Sequence, residues 1–184
     1  MSASEDSSSL KAPSHPLVFR ASELEERLHH GWSCPGIPRG RFPRGALIEL
    51  SGKLGTGKTE WLLREFFAAH PEPRIAWLEK SATIYPPAFP QNCVSLERVL
   101  FVECGTEMLW SAQQILRSGL FPWVVLEDPP SDPLSLKRLQ LAAEKAEASV
   151  FLLKSQPTEP RSWAIQLQLA WNPTDPKRPW KKLK

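Results

Sequence analysis

The eight residues Gly52-Lys53-Leu54-Gly55-Thr56-Gly57-Lys58-Thr59 restrict the possible folds of this chain more than any other stretch. They fit the pattern G-x-x-x-x-G-K-[ST], in which glycines let a loop turn tightly enough for successive backbone N–H groups to face one centre. Average composition would produce the pattern in about 1% of chains this long. Its context agrees. Ala46-Leu47-Ile48-Glu49-Leu50 reads as a buried strand, and Glu60 to His70 as a helix stopped by Pro71 and Pro73. Strand, glycine loop and helix in that order make an anion cradle, because the helix adds its positive N-terminus to the loop N–H groups. Lys58 would reach the β/γ-phosphates and Thr59 would offer a hydroxyl to Mg²⁺. Gly52, Gly55, Thr56, Gly57, Lys58 and Thr59 are therefore candidate nucleotide-binding residues, with ATP and Mg²⁺ as the implied cofactors.

The alternation continues along the chain. Ile75-Ala76-Trp77-Leu78, Val99-Leu100-Phe101-Val102, Trp123-Val124-Val125-Leu126 and Val150-Phe151-Leu152-Leu153 read as short apolar strands, and Ala164 to Ala170 as a half-exposed sixth. Between them, Glu107 to Ser118 reads as a helix closed by Gly119. Leu134 to Ala148 reads as another, with Ser131 or Asp132 near its N-cap and Pro133 in its first turn. Apolar strands separated by helices predict an α/β domain with a mostly parallel sheet of about six strands covered on both faces. A capping-box pattern, Ser22-Glu23-Leu24-Glu25, adds a short N-terminal helix to about His30. The expected organisation is a disordered tail over 1–20, one domain over 21–172 and a basic tail over 173–184. Trp61, Trp77, Trp110 and Trp123 are expected in the core.

Composition narrows the classes. The 184 residues are 41% hydrophobic and 23% charged, which excludes fibrous and wholly disordered chains. The net charge is +3, but the last eight residues alone carry +5, leaving −2 for the rest. The domain is thus no broadly cationic surface for nucleic acid. Three widely spaced cysteines suggest neither a disulfide framework nor zinc, and point to a reducing cytoplasm. No apolar run is long enough to span a membrane. His29 and His30 read as solvated helix-end residues, with no third ligand nearby for a metal.

A second nucleotide element requires an acid at the end of an apolar strand, to hold the Mg²⁺ shell. Glu127, directly after Val124-Val125-Leu126, supplies it, with Asp128 next. The alternative is a strand that simply ends in solvated acids.

The stretch Phe42-Pro43-Arg44-Gly45-Ala46-Leu47-Ile48-Glu49-Leu50-Ser51-Gly52 resembles the approach to the P-loop in RecA-type ATPases. The resemblance runs collinearly through Ala76-Trp77-Leu78-Glu79, Tyr85-Pro86, Leu96-Glu97-Arg98-Val99-Leu100, Arg117-Ser118-Gly119 and Val124-Val125-Leu126-Glu127, over about residues 35–170. Leu96-Glu97-Arg98, Leu116-Arg117-Ser118-Gly119 and Leu139-Gln140-Leu141-Ala142-Ala143-Glu144 are most similar to the ImuA/SulA-like branch. That resemblance implies a RecA-like P-loop domain and a non-polymerase accessory role in damage-induced (SOS) translesion synthesis. The implied partners are RecA and an inactive, ImuB-like relative of Y-family polymerases. It also implies that Tyr85 lies where adenine is covered, and that Gln156 matches a glutamine sensing the γ-phosphate. Without the resemblance, Tyr85 reads as a loop aromatic against Pro86 and Pro87, and Gln156 as an exposed strand-end residue.

Two departures from RecA carry expectations. The glutamate that orients the attacking water, two residues past the acid ending the second strand, is Ser81 here. A serine cannot take that proton as a carboxylate can, so hydrolysis is expected to be very slow or absent. The two DNA-binding loops are reduced to about Asp128–Pro133, without a basic residue, and Gln156–Ser162, with Arg161 alone. Any DNA contact is thus expected to be weak or indirect. Two further readings stay open: an active ATP-dependent single-stranded-DNA-binding ATPase, which the intact P-loop favours, and a SulA-like division inhibitor, which it opposes.

Residues after Asn172 are rich in proline and cations, and are expected to form no core element. Lys177, Arg178, Trp180, Lys181, Lys182 and Lys184 are candidates for contact with a partner or with DNA backbone. The alternative is a solvated charged terminus.

Overall fold

The computed structural model describes residues 31–159, 162–175 and 179–183. The expected N-terminal tail and the Ser22–His30 helix, with its two histidines, lie outside the described residues. A two-residue antiparallel ribbon, β1 (Trp32–Ser33) with β2 (Arg41–Phe42), leads into β3 (Ala46–Ser51). The P-loop follows, and α1 (Lys58–Trp61) runs on directly into a π-helical stretch, Leu62–Phe67. Then come β4 (Ile75–Glu79), the single turn α2 (Ala88–Gln91), β5 (Val99–Glu103), α3 (Met108–Ser118) and β6 (Trp123–Glu127). The chain continues through α4 (Pro133–Ala146), β7 (Ser149–Lys154), β8 (Ile165–Trp171) and β9 (Trp180–Lys182).

Seven strands form one sheet in the order β5-β4-β6-β7-β3-β8-β9. All pairings are parallel except β8 with β9. β3 and β4 are buried along their length, and β6 and β7 in all but their last residue, as the apolar runs require. Successive side chains alternate between two cores. One holds the P-loop helix, with Phe66 and Phe67 against Trp123 at 4.8 and 5.1 Å between ring centroids. The other holds α3 and α4 against Leu47, Leu78, Leu126 and Leu152. Helices therefore cover both faces.

Local chemistry sets the boundaries. Gly119 closes α3 in the left-handed region at φ 67°. Asp132 caps α4 by accepting from the Ser135 N–H at 2.9 Å, and Pro133 takes the first helical position. The Arg98 guanidinium donates to the carbonyls of Phe67, His70 and Pro73 at 2.7–2.9 Å, which sets a cation at the C-terminal end of the P-loop helix.

Two expectations need correction. Trp110 is 60% exposed, so it is not a core residue, whereas Trp61, Trp77 and Trp123 are buried. The domain does not end at 172. Trp180 is 3% exposed, and β9 adds a seventh strand to the sheet through Trp171↔Trp180 and Leu169↔Lys182. Leu183 N–H donates to the Gln168 carbonyl at 2.8 Å. No helix among the described residues is long and apolar enough to cross a membrane.

Candidate functional site

The P-loop turns at Gly55 (φ 72°) and Gly57 (φ 91°), backbone conformations that side-chain-bearing residues rarely adopt. Gly57 also precedes the first helical residue, Lys58. The loop is braced from within and from below. Thr56 Oγ1 donates to the Lys53 carbonyl at 2.7 Å, and Gly52 N–H to the Lys154 carbonyl of β7 at 2.9 Å. The Trp171 indole N–H donates to the Thr56 carbonyl at 2.8 Å. A side chain at Gly52 would strike the Trp171 Cβ at 2.7 Å, so this glycine is required by the close approach of β8. Lys53, Gly55, Gly57, Lys58 and Thr59 line the resulting hollow of about 290 Å³.

Lys58 is buried, and its ammonium donates to the Gly52 carbonyl at 2.7 Å. Burial pushes its pKa down, while Glu127 and Asp128 pull it back up. The lysine is thus poised between the loop and the acids that end β6. Glu127 is half-buried, and burial raises its pKa; Glu79 and Asp128 raise it further, against Lys58. A carboxylate held in this way gains from a cation beside it.

Glu79, the last residue of β4, brings a further carboxylate beside Glu127. β4 and β6 pair up to Leu78↔Leu126, so Glu79 and Glu127 are the next residues on neighbouring strands. By the two-residue period of a strand both face the P-loop helix. Glu79 is 3% exposed, and its Oε2 accepts from Thr83 N–H, Thr83 Oγ1 and Ile84 N–H at 2.7–2.9 Å. Ser81 is exposed. Strand adjacency, which no linear motif displays, is what brings Glu79 to the site.

Gln156 is exposed and shares a second hollow of about 400 Å³ with Gly52, Lys53, Leu54, Pro157 and Trp171. Two residues on, Thr158 is fastened to the fully buried Glu49 of the P-loop strand. Its N–H and Oγ1 donate to the two carboxylate oxygens at 3.0 and 2.5 Å, and Gln168 Nε2 adds a third bond at 3.2 Å. Lys154 joins the same segment through Ser131 Oγ and Thr158 Oγ1. Glu49, Thr158 and Trp171 were not singled out in the sequence as site residues. A buried acid three residues before a P-loop, where an apolar residue would cost less, is the signal that could have flagged Glu49.

Tyr85 is 63% exposed, with its carbonyl accepting from Ala88 N–H, and it does not line the P-loop hollow. Of the C-terminal candidates, Lys181 and Lys182 are exposed on β9. Trp180 cannot serve as a docking side chain because it is buried against Trp61 and Trp171. Lys177, Arg178 and Lys184 lie outside the described residues, as does Arg161.

Among solved structures, the chain is similar to the crystal structure of the RadB recombinase, with a TM-score of 0.59 over 77% of this chain and 81% of that one. The fold is RecA-like. At 16% identity the likeness extends to the fold alone. No family model matches the sequence, and no curated protein does.

The RecA-like frame and the loop chemistry suit a nucleoside triphosphate with Mg²⁺. The glycine loop and helix start offer N–H donors, and Lys58 and Thr59 line the hollow. Among the described residues no group of three His, Cys, Asp or Glu could hold a metal alone. A Mg²⁺ ion here would rest on Thr59, Glu127 and phosphate oxygens, which is the usual division for this cation.

Proposed function

We propose that this chain is a RecA-like accessory protein of the DNA damage (SOS) response, a nucleotide binder rather than a polymerase or motor. It binds ATP with Mg²⁺ in the Gly52–Thr59 cradle and hydrolyses it little or not at all. It docks on RecA and a Y-family polymerase relative during translesion synthesis. The observation that carries this reading is the acid geometry beside an otherwise complete cradle. Ser81 is exposed, and Glu79, two residues earlier, is buried with one carboxylate oxygen already accepting three hydrogen bonds.

Each residue has a binding task. Lys58 exchanges the Gly52 carbonyl for phosphate oxygens, and its burial strengthens that attraction. Thr59 and Glu127 hold the metal side, and Gln156 reaches the far end of the phosphate chain from the adjoining hollow, which shares Lys53 and Leu54 with the P-loop hollow. When bound, Mg²⁺ neutralises charge on the phosphates. The expected result is Mg²⁺-dependent ATP binding that Lys58→Ala abolishes in calorimetry, with no single-stranded-DNA-stimulated phosphate release above that variant. Full-length chain should capture purified RecA or the polymerase relative. A DNA-stimulated rate that Lys58→Ala removes would overturn the accessory reading.

One observation favours a second reading, an active ATPase. Glu79 stands beside Glu127 on the P-loop face with only Oε2 bonded. If phosphate release is found, its loss in Glu79→Gln would assign the water-orienting role to Glu79.

A further inference from the structure

At the edge of the sheet opposite the P-loop, α3 and α4 leave a groove of about 740 Å³ between them. Its place follows from the topology. Gly119 leads into the start of β6 and Ala146 into the start of β7, whereas the P-loop follows the end of β3, parallel to both through β7. The floor is aliphatic: Leu116 is buried, Ala142 is half-buried, and Leu141 is 46% exposed. The rim is cationic. Arg117 in the last turn of α3, and Arg138 and Lys145 on α4, all line the groove and are exposed. No carboxylate lines it. Among the described residues none of the three cations has a carboxylate within 4.0 Å, since the ion pairs found belong to Arg64. Arg138 feels Asp132, the cap of its own helix, and Glu144 on α4 is engaged by Gln140 at 2.8 Å.

We propose that this groove is a docking site for an acidic peptide segment of another protein, with an aliphatic side chain seated on Leu141 and Ala142 and carboxylates meeting Arg117, Arg138 and Lys145. Charge complementarity selects the occupant. Three cations with no carboxylate within 4.0 Å among the described residues, around a floor of methyl and methylene groups, match a leucine flanked by Asp or Glu. A single-stranded nucleic acid would use stacking aromatics, and no aromatic ring lines the groove. Because the P-loop is at the far edge, a peptide here and a nucleotide there can be bound together. The proposal locates one partner contact, and in that respect rests on the docking reading above.

The test uses the full-length chain and a fluorescein-labelled synthetic peptide, Asp-Glu-Leu-Leu-Glu-Asp-Glu, followed by anisotropy. Saturable binding is expected, weakened about tenfold or more by Arg138→Glu with Lys145→Glu, as reversing two contacting charges should do. Arg74→Glu, an exposed cation elsewhere, should bind as wild type. Replacing both peptide leucines by serine should also cost about tenfold, as loss of the buried aliphatic contact. Circular dichroism checks that the variants remain folded. No saturable binding, equal binding by the double variant, or equal binding of the serine peptide overturns the proposal. So does displacement by a thymidine oligonucleotide that itself loses affinity for the double variant, which would make the groove a polyphosphate site. Capture of RecA by wild-type protein is measured alongside. Failure of the peptide with capture intact rejects this groove alone, and loss of capture with peptide binding intact rejects the docking reading.

Discussion

Replacing Trp180 with alanine should destabilise the whole domain, although the residue lies in a stretch whose composition reads as a solvated tail. Trp180 is 3% exposed and meets Trp171 and Trp61 edge-on, at 4.9 and 5.3 Å between centroids. Removing a core tryptophan side chain generally costs about 3–5 kcal/mol. The Trp180 Nε1 is buried without a hydrogen-bond partner among the described residues, so part of its burial is already offset by desolvation of that N–H. The lower end, about 3 kcal/mol, is therefore expected. For a domain of this size that corresponds to a fall in Tm of roughly 6–12 °C. Deleting 177–184 should cost at least as much, because it also removes the β8–β9 ladder. Lys181→Ala and Lys182→Ala, on exposed side chains, should stay within about 0.5 kcal/mol of wild type. Differential scanning calorimetry of the four proteins decides the matter. A Tm for Trp180→Ala within about 2 °C of wild type would refute the packing argument and return the domain boundary to 172.

Glu127→Gln should stabilise the metal-free protein at neutral pH while weakening Mg²⁺-dependent ATP binding. A carboxyl whose pKa rises on folding holds its proton more tightly in the fold, so the wild type loses stability as pH climbs from the ordinary glutamate range through that raised value. The variant's advantage should fade on acidification through the same window, in urea titrations at several pH values. Trp171→Phe keeps an aromatic side chain but removes the N–H donated to the Thr56 carbonyl, so ATP affinity measured by calorimetry should fall by a factor of about 3–10. Unchanged affinity would show that the loop needs no brace from β8. Glu49→Ala strands the donors of Thr158 and Gln168 in a buried site and should cost about 2–4 kcal/mol in denaturant unfolding, with Thr158→Val costing less.

The sequence showed most of the frame because the frame is built from locally readable signals. Six apolar runs became β3 to β8, and the αL glycine after α3 and the Asp132-Pro133 start of α4 were visible as residue types in order. The P-loop was legible because its chemistry sits in eight consecutive residues. Features made by distant parts of the chain were not. β9 carries two exposed lysines beside one inward tryptophan, and three residues cannot establish a strand period against a proline-rich background. The π-helical stretch depends on a shift of backbone hydrogen bonds, Ala68 N–H to the Leu63 carbonyl, that leaves no mark in side-chain spacing. Glu79 ends an apolar run and carries no motif of its own, and its neighbour Glu127 is set by which strand lies next to β4. Trp171 belongs to no motif and meets the loop only because β8 lies beside β3.

The position of β3 bears on how the protein is made. Ala46 pairs with Ser149 and Leu47 with Ile165, partners that leave the ribosome 103 and 118 residues later. Until then the central strand has both edges bare, and the glycine loop lacks the Lys154 carbonyl and the Trp171 indole that brace it. Parallel pairings over such separations are slow to close, and an unpaired apolar strand is prone to aggregate in the interval. A nascent chain interrupted before Ser149 would carry the whole phosphate-binding motif and still be unable to assemble its cradle. The nucleotide binding proposed above would thus require the strands that follow Ser149, and ATP-agarose retention would separate chains that contain them from arrested fragments.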